Sequence, residues 1–590
     1  MCGIAGVLRP GTAPQTFENR VIAMQRALRH RGPDEQGTFF GVGVGLAATR
    51  LAVVDLAHGH QPMTSADGRY VLVFNGEIFN YRALRNELDY PFQTHCDTEV
   101  VLAACIRWGH TALHRFNGMF AFFFYDTERN EGFLARDRAG VCPAVFRRKD
   151  GELLFASEVK ALLAALAGAP KLHLPSFVEW AVIPMWSGAD HSMFEDIEVL
   201  PSGCLLNVSR DRCEIHRWWD YRIDPIAPTD APELAAELRE TLEWAVHETQ
   251  AQADVPVAAY LSGGIDSTCV VACAKVDSVT IRFEGMESYD YSKQRVIVSD
   301  DSPFAEEAAR AIGVVQNWVH VDRTQLLVDL PRVAQISDSM PAGEQEFALY
   351  YLAQAVSKKY KVVMVGDAAD ETHYGYHFIL DDESISSPQG PLRKFAQYAD
   401  RVQMLNPRVV DELDPLRMIS AKYEAIATEA GYGWGSRTDN IKATSYLIFR
   451  RFLARLLHMG DMESMAHSLE ARVPFADANM LDFARRVPIE LGIKNGVEKY
   501  LLRLAAPAVM PDSIRWRRKS ALPKDQGVDA IYKAQAKVLL ESPDPFIAKH
   551  LNVPRLREIS SVDRPLEDIE RQILFQTLFT VHWSRHYGVV

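Results

Sequence analysis

Residues 255–267 constrain the fold more than any other stretch of the chain. An apolar run of strand type, Val255-Pro256-Val257-Ala258-Ala259-Tyr260-Leu261, ends in Ser262-Gly263-Gly264-Ile265-Asp266-Ser267, and a helical stretch from Thr268 to Lys275 follows at once. Gly263 and Gly264 have no Cβ, so the backbone can bend sharply and come close to an anion. The N–H groups opening the next helix point at that anion, and the helix dipole favours it. Ser262 and Ser267 add hydroxyl donors. Asp266 is out of place in a pure anion site, unless a cation such as Mg²⁺ is bound there with phosphate oxygens. The same hexapeptide also suits a tight turn with a capping aspartate. A Walker P-loop is excluded, because the Gly-Lys-Ser/Thr ending is missing.

Further strands and helices alternate after this turn. Val279 to Phe283 reads as a strand, Asp300 to Pro303 as the cap of a helix from about Phe304 to Ile312, and Trp318 to Val321 as a third strand. Such alternation predicts a doubly wound parallel sheet, with ligands outside the C-terminal strand ends. A second buried strand runs from Lys361 into an acidic loop, Val365-Gly366-Asp367-Ala368-Ala369-Asp370-Glu371. Asp367 and Asp370 are costly to bury unpaired, and a shared Mg²⁺ would offset that cost. Helix capping by Asp370 and Glu371 is the plainer alternative.

The N-terminal part carries a different chemistry. Removal of Met1 would place Cys2 at the N-terminus, with thiol and free amine on one carbon. That amine, with an ordinary pKa of about 7.7–8.0, can act as base for the thiol. Arg29-His30-Arg31-Gly32-Pro33-Asp34 forms a polar turn, Arg50 to Asp55 ends a strand, and Val71 to Phe74 runs as a strand into an Asn75-Gly76-Glu77 turn. Asp97, Thr98 and Glu99 open a helix, and Gly118 to Asp126 is a strongly apolar strand. Asn-Gly is also a frequent hairpin turn.

The Ser-Gly-Gly-x-Asp-Ser loop resembles the pyrophosphate loop of ATP-pyrophosphatases, which cleave ATP between the α and β phosphates. Cys2-Gly3-Ile4, the Arg-His-Arg-Gly-Pro-Asp turn and Asn-Gly-Glu resemble the glutaminase domain of class II glutamine amidotransferases. That resemblance implies an Ntn-hydrolase-type αββα sandwich in which Cys2 attacks the glutamine amide. Asn75 and the Gly76 N–H would form the oxyanion hole. Arg50, with Val54 in the same stretch, would take the glutamine α-carboxylate, and Asp97, with Glu77, its α-ammonium.

Two more stretches, Asp461 to Asp477 and Asn495 to Arg503, complete a resemblance to the asparagine synthetase family over nearly the whole chain. It implies a glutaminase domain at 2–223, a linker at 224–232 (the Pro-rich Asp224 to Pro232) and an ATP-pyrophosphatase-type synthetase domain at 233–590. Leu261, Ser262, Gly263, Gly264, Asp266, Ser267, Ile281, Val365 and Gly366 would bind ATP. Asp266 and Asp370 would hold Mg²⁺, Asp367 would serve acyl-adenylate formation, and Lys499 would stabilise charge on the α-phosphate. Glu470 and Arg472 would shape the acceptor site. The expected reaction is ATP-dependent amidation of a carboxylic acid, with ammonia from glutamine crossing an internal tunnel.

The acceptor region departs from the family pattern. Asp338-Ser339-Met340-Pro341-Ala342-Gly343-Glu344-Gln345-Glu346 stands where polar acceptor-binding residues are expected, and His373-Tyr374-Gly375-Tyr376 replaces Phe-Gly-Gly-Tyr. Arg515 to Pro523 keeps its basic character but continues differently. The acceptor is therefore left between aspartate and another acid, such as one of secondary metabolism. Glu344 and Glu346 would suit an amino-bearing acceptor, or be merely solvated. An ammonia-independent ligase of the β-lactam synthetase type is the alternative enzyme, and a non-catalytic scaffold the alternative of another class; complete motifs in both halves argue against each.

Composition excludes other classes. A chain of 590 residues exceeds the size at which single cores stop growing, about 250–300 residues. The net charge of −13 argues against nucleic-acid binding. No apolar run of about 18 residues predicts a membrane span, and no signal peptide is evident. The eight cysteines form no zinc-type pair, which fits reduced thiols and a cytoplasmic protein. The histidines lack paired metal-ligand spacing. The oligomeric state is left open, a homodimer included.

Overall fold

The computed structural model describes residues 1–209, 212–227, 230–285, 300–322, 324–394, 397–518, 520 and 528–589. Of the stretches singled out above, Pro228, Thr229, Lys519 and residues 521–523 lie outside the described residues. The N-terminal part is two stacked antiparallel sheets of six strands each. In the first, the order is Glu198–Val199, Val145–Lys149, Glu152–Ala156, Gly3–Leu8, Val44–Arg50, Glu35–Gly41. In the second it is Cys213–Arg217, Cys204–Val208, Glu131–Arg136, Gly118–Asp126, Tyr70–Ile78, Met63–Thr64.

Each sheet turns one face to the other and one to helices, so its central strands are buried on both sides. Gly3–Leu8, Val44–Arg50 and Gly118–Asp126 accordingly read as near-continuous apolar runs. Phe123 and Phe155 meet across the two sheets with ring centroids 4.6 Å apart. The helix Glu18–Ala27 covers the first sheet, and Asp97–Trp108 packs on Tyr70–Ile78 of the second. This is the expected αββα sandwich.

One expectation is corrected here. Asn75-Gly76-Glu77 is not a turn, because the strand Tyr70–Ile78 runs straight through it, with Asn75 opposite Ala121 and Gly76 opposite Phe120. Gly76 has φ +147°, and a Cβ there would run into the Met119 carbonyl oxygen. The local Asn-Gly signal yields to a nine-residue pairing that only glycine permits at this point.

The second part holds a five-stranded parallel sheet ordered Gln316–Val321, Ser278–Phe283, Val257–Tyr260, Val362–Met364, Glu470–Arg472. The chain builds outward from Val257–Tyr260 through two strands, then returns to the other side with Val362–Met364. The winding therefore reverses between these two central strands, and their C-terminal ends open a crevice. The loop 261–264 leaves one of them and the acidic loop 365–368 the other. Helices fill most of the chain beyond residue 390. Among the described residues, no helix is long and apolar enough to cross a membrane.

Candidate functional sites

Cys2 lies at the N-terminal end of Gly3–Leu8, a central strand of the first sheet, and is buried. Its N–H donates to Asn75 Oδ1 at 2.7 Å, and its carbonyl accepts from Arg31 Nε at 2.8 Å. Burial pushes the thiol pKa up, while the terminal ammonium, the Leu51 N–H and Arg50 pull it down. Met1 stands in front of it. The Met1 ammonium pairs with Glu470, and its sulfur lies 3.7 Å from Cys142 Sγ.

The remaining groups expected around Cys2 converge on it. Asn75 is fully buried, and its Nδ2 has no hydrogen-bond partner. A buried orphan donor costs free energy, so it marks a place where an acceptor belongs. Arg50 is aimed by loop carbonyls, donating to Val54 O at 3.0 Å and Asp55 O at 2.7 Å. Asp97 opens its helix and accepts from the Ile78 N–H at 3.1 Å. Glu77 is buried beside it; burial first, and then the Asp97 charge, raise its pKa well above the usual range.

A buried ionic seam joins this site to the second part. Arg31 makes a bidentate pair with Asp461 (2.7 and 2.9 Å) and a third bond to Glu158 at 2.8 Å. Arg472 donates to Glu470 at 2.7 Å and to Glu77 at 3.1 Å. Glu470 and Arg472 were expected at the acceptor site. They lie instead in this seam, beside Met1 and Glu77, and neither lines the cavity below. The strand Glu470–Arg472 is the last of the parallel sheet and faces the sandwich, which is what places them there.

At the crevice lies a cavity of about 650 Å³. Leu261, Ser262, Gly264, Asp266, Ser267, Ile281, Val365, Gly366, Asp367, Asp370 and Lys499 all line it. Ser262 and Ser267 hydroxyls are 3.0 Å apart, at the N-terminus of the helix Ile265–Ala274. Gly263 stands outside the lining: its φ is +71°, and a Cβ would sit 2.5 Å from the Ala305 nitrogen. It lets the helix Ser302–Ile312 approach the loop. Gly366 lets the two loops touch, since a Cβ there would lie 2.8 Å from the Ser267 nitrogen.

Lys499 is buried in a left-handed conformation, φ +53°, with Nζ 2.5 Å from both Asp266 Oδ2 and Asp370 Oδ1. These two carboxylates face one point from opposite loops. That fits Mg²⁺, which takes one or two carboxylates and leaves its other positions to water and phosphate. Among the described residues, no group of three His, Cys, Asp or Glu side chains would hold a metal by itself. Glu344 lines the cavity and accepts from Tyr532 OH at 2.6 Å. Glu346 does not; it is buried against Arg455 at 3.3 Å and the Ala342 N–H.

Sequence reasoning missed several lining residues. Met185 and Trp186 come from the first part of the chain yet line this cavity, as do Phe452, Leu456 and Met459. Nothing local to those residues marks them, because only the packing of the two parts brings them there.

A family model described as a glutamine amidotransferase domain matches residues 1–219, and one described as asparagine synthase matches residues 237–566. Among curated proteins, the chain is similar to asparagine synthetase [glutamine-hydrolyzing] 3 of Bacillus subtilis (strain 168), at 29% identity over 89% of this chain and 87% of that one. It is 30% identical to a putative asparagine synthetase [glutamine-hydrolyzing] of Mycobacterium tuberculosis (strain ATCC 25618 / H37Rv), with the same coverage of 89% and 87%. Asparagine synthetase B [glutamine-hydrolyzing] of Escherichia coli (strain K12) is 28% identical over 88% of this chain and 81% of its own.

Proposed function

We propose a reaction for a chain that belongs to the asparagine synthase family and carries that family's N-terminal glutamine amidotransferase domain. It is glutamine-dependent, ATP-driven amidation of a carboxylic acid. With Met1 removed, the Cys2 amine takes the thiol proton and the thiolate attacks the glutamine side-chain amide carbon. The oxyanion is met by Asn75 Nδ2 and the Gly76 N–H, with Arg50 and Asp97 holding the two ends of the amino acid. The C–N bond breaks, ammonia leaves with the proton, and water hydrolyses the thioester to glutamate.

In the crevice, ATP places adenine near Ile281 and Val365 and its phosphates on the loop 261–267. A carboxylate oxygen of the acceptor attacks the α-phosphorus, pyrophosphate leaves, and an acyl-adenylate forms. Lys499 stabilises the charge developing on the α-phosphate, a task suited to a point cation. Asp367 stands beside the reacting carboxyl. Asp266 and Asp370 would hold Mg²⁺, which supplies positive charge to the leaving pyrophosphate when bound. Ammonia passing along the seam attacks the acyl carbon and AMP leaves.

The observation that carries this reading is the position of Arg31. It bonds the Cys2 carbonyl and Asp461 at once, and Asp461 sits on the helix Ala454–Met465, whose Leu456 and Met459 line the nucleotide cavity. The nucleophile and the cavity are thus one rigid connection apart. The test is pyrophosphate release with Cys2→Ala. Glutamine should no longer support amide formation in the variant, while free ammonium still does. Amide formed by the variant from glutamine would overturn the reading.

A further inference from the structure

The loop that follows Arg50 is held from two sides. On one side Arg50 donates to the carbonyls of Val54 at 3.0 Å and Asp55 at 2.7 Å, which fixes where its guanidinium stands. On the other side, neighbouring peptide groups are held by residues of the second part of the chain. The Asp254 N–H donates to the Val53 carbonyl at 2.9 Å, and Asp254 Oδ2 accepts from the Asp55 N–H at 2.9 Å. Lys361 donates to Asp34 Oδ2 at 2.7 Å and to the Ala52 carbonyl at 3.4 Å. Asp34 Oδ2 also accepts from the Ala52 N–H at 2.8 Å.

One feature of the parallel sheet brings both residues here. Asp254 stands just before the strand Val257–Tyr260 and Lys361 just before Val362–Met364, and these two strands are paired in parallel. Their N-terminal ends therefore lie side by side, at the opposite end of the sheet from the cavity loops.

The Val54–Asp55 peptide decides what this hold does. Its carbonyl is the one that meets Arg50, and its N–H is the one that meets Asp254. A trans peptide is planar, with N–H and C=O pointing opposite ways, so fixing the N–H fixes the direction of the carbonyl. Asp55 also has φ +43°, a left-handed backbone that a residue with a Cβ adopts only at a cost, so the conformation needs support from its surroundings. Asp254 supplies that support at two points, with its backbone at Val53 and its side chain at Asp55.

We propose that Asp254 is a positioning residue for glutamine: by holding the Val54–Asp55 peptide it aims Arg50 at the α-carboxylate. This rests on the amidation reading above, and adds a residue of the second part to its glutamine site.

The test is glutamine hydrolysis by the full chain, with kcat and KM measured separately. Asp254→Ala should raise KM for glutamine about fivefold, the scale of one net hydrogen bond, with kcat held within about twofold. Asp254 is exposed, so the substitution opens no cavity in the core. Asp254→Asn keeps an oxygen acceptor and should return KM to within about twofold of the parent. In an Arg50→Lys background Asp254→Ala should add nothing to KM, because its effect runs through Arg50. An unchanged KM in Asp254→Ala, a fall in kcat alone, or a full additive rise in the Arg50→Lys background would overturn the positioning role and leave amidation standing. A parent chain that hydrolyses no glutamine would overturn both.

Discussion

Asn75 divides its side chain between two tasks. Its oxygen holds the Cys2 backbone and its nitrogen is left without an acceptor. Asn75→Ala should therefore lower kcat for glutamine hydrolysis about 10²–10³-fold, the usual cost of one oxyanion donor, with KM changed little; an equal loss in kcat and gain in KM would instead mean a binding role. Lys499 is held at a single point between two carboxylates, in a backbone conformation rare for a side-chain residue. Lys499→Arg should not restore the pyrophosphate release lost in Lys499→Met, because a planar fork cannot occupy that point. Asn75 was singled out by its Asn-Gly-Glu pattern, whereas Lys499, in a stretch that alone reads as ordinary charged surface, was singled out only through the family resemblance. Glu470 and Arg472 were legible as important but misplaced, because a strand's neighbours are not written in the strand.

At the scale of elements, contact between the loops 261–267 and 365–370 depends on a missing Cβ. Gly366→Ala would put a Cβ 2.8 Å from the Ser267 nitrogen and push the two loops apart. The expected outcome is a cost of about 1–3 kcal/mol in stability, as for other overpacked sites, and at least tenfold weaker ATP binding by calorimetry. Glutamine hydrolysis measured without ATP should be unchanged, since its site lies on other strands. The parallel sheet and its crevice followed from strand and helix alternation alone. The strand through Asn75-Gly76 did not, because an Asn-Gly pair reads locally as a turn and only the partner strand Gly118–Asp126 shows otherwise.

At the scale of the molecule, the seam is the element on which both halves depend. Arg31→Ala would leave Asp461 and Glu158 buried without their shared cation, at a cost of about 3–5 kcal/mol. Denaturant unfolding should show that loss as a lower midpoint. His458, on the helix Ala454–Met465 that carries Asp461, sets an acid limit. Burial first, then Arg455, Arg136 and other nearby cations, lower the His458 pKa from 6.5 to about 3. Between those values the unfolded chain binds a proton that the folded one does not, so stability is complete above about pH 6.5 and falls as pH drops toward 3. His458→Asn should flatten that part of the denaturation-midpoint profile against pH; an unchanged slope would remove His458 from the account.

The sequence by itself determined the chemistry that lies within single stretches. A cysteine beside the N-terminus proposed as nucleophile, a Gly-Gly loop between a strand and a helix proposed to hold phosphate, and an acidic loop at a second strand end were each singled out from residue type and near spacing. Only the tertiary structure decided what depends on distant stretches meeting: Arg31 on Asp461, Met1 on Glu470, and Trp186 of the N-terminal part facing Phe452 of the second part. The physical reason is that a loop's bond pattern is set by its own backbone and few neighbours, whereas the cavity lining joins residues from distant stretches that pack in one continuous core. Residues 186, 452, 456 and 459 belong to that lining, and in sequence they look like ordinary core.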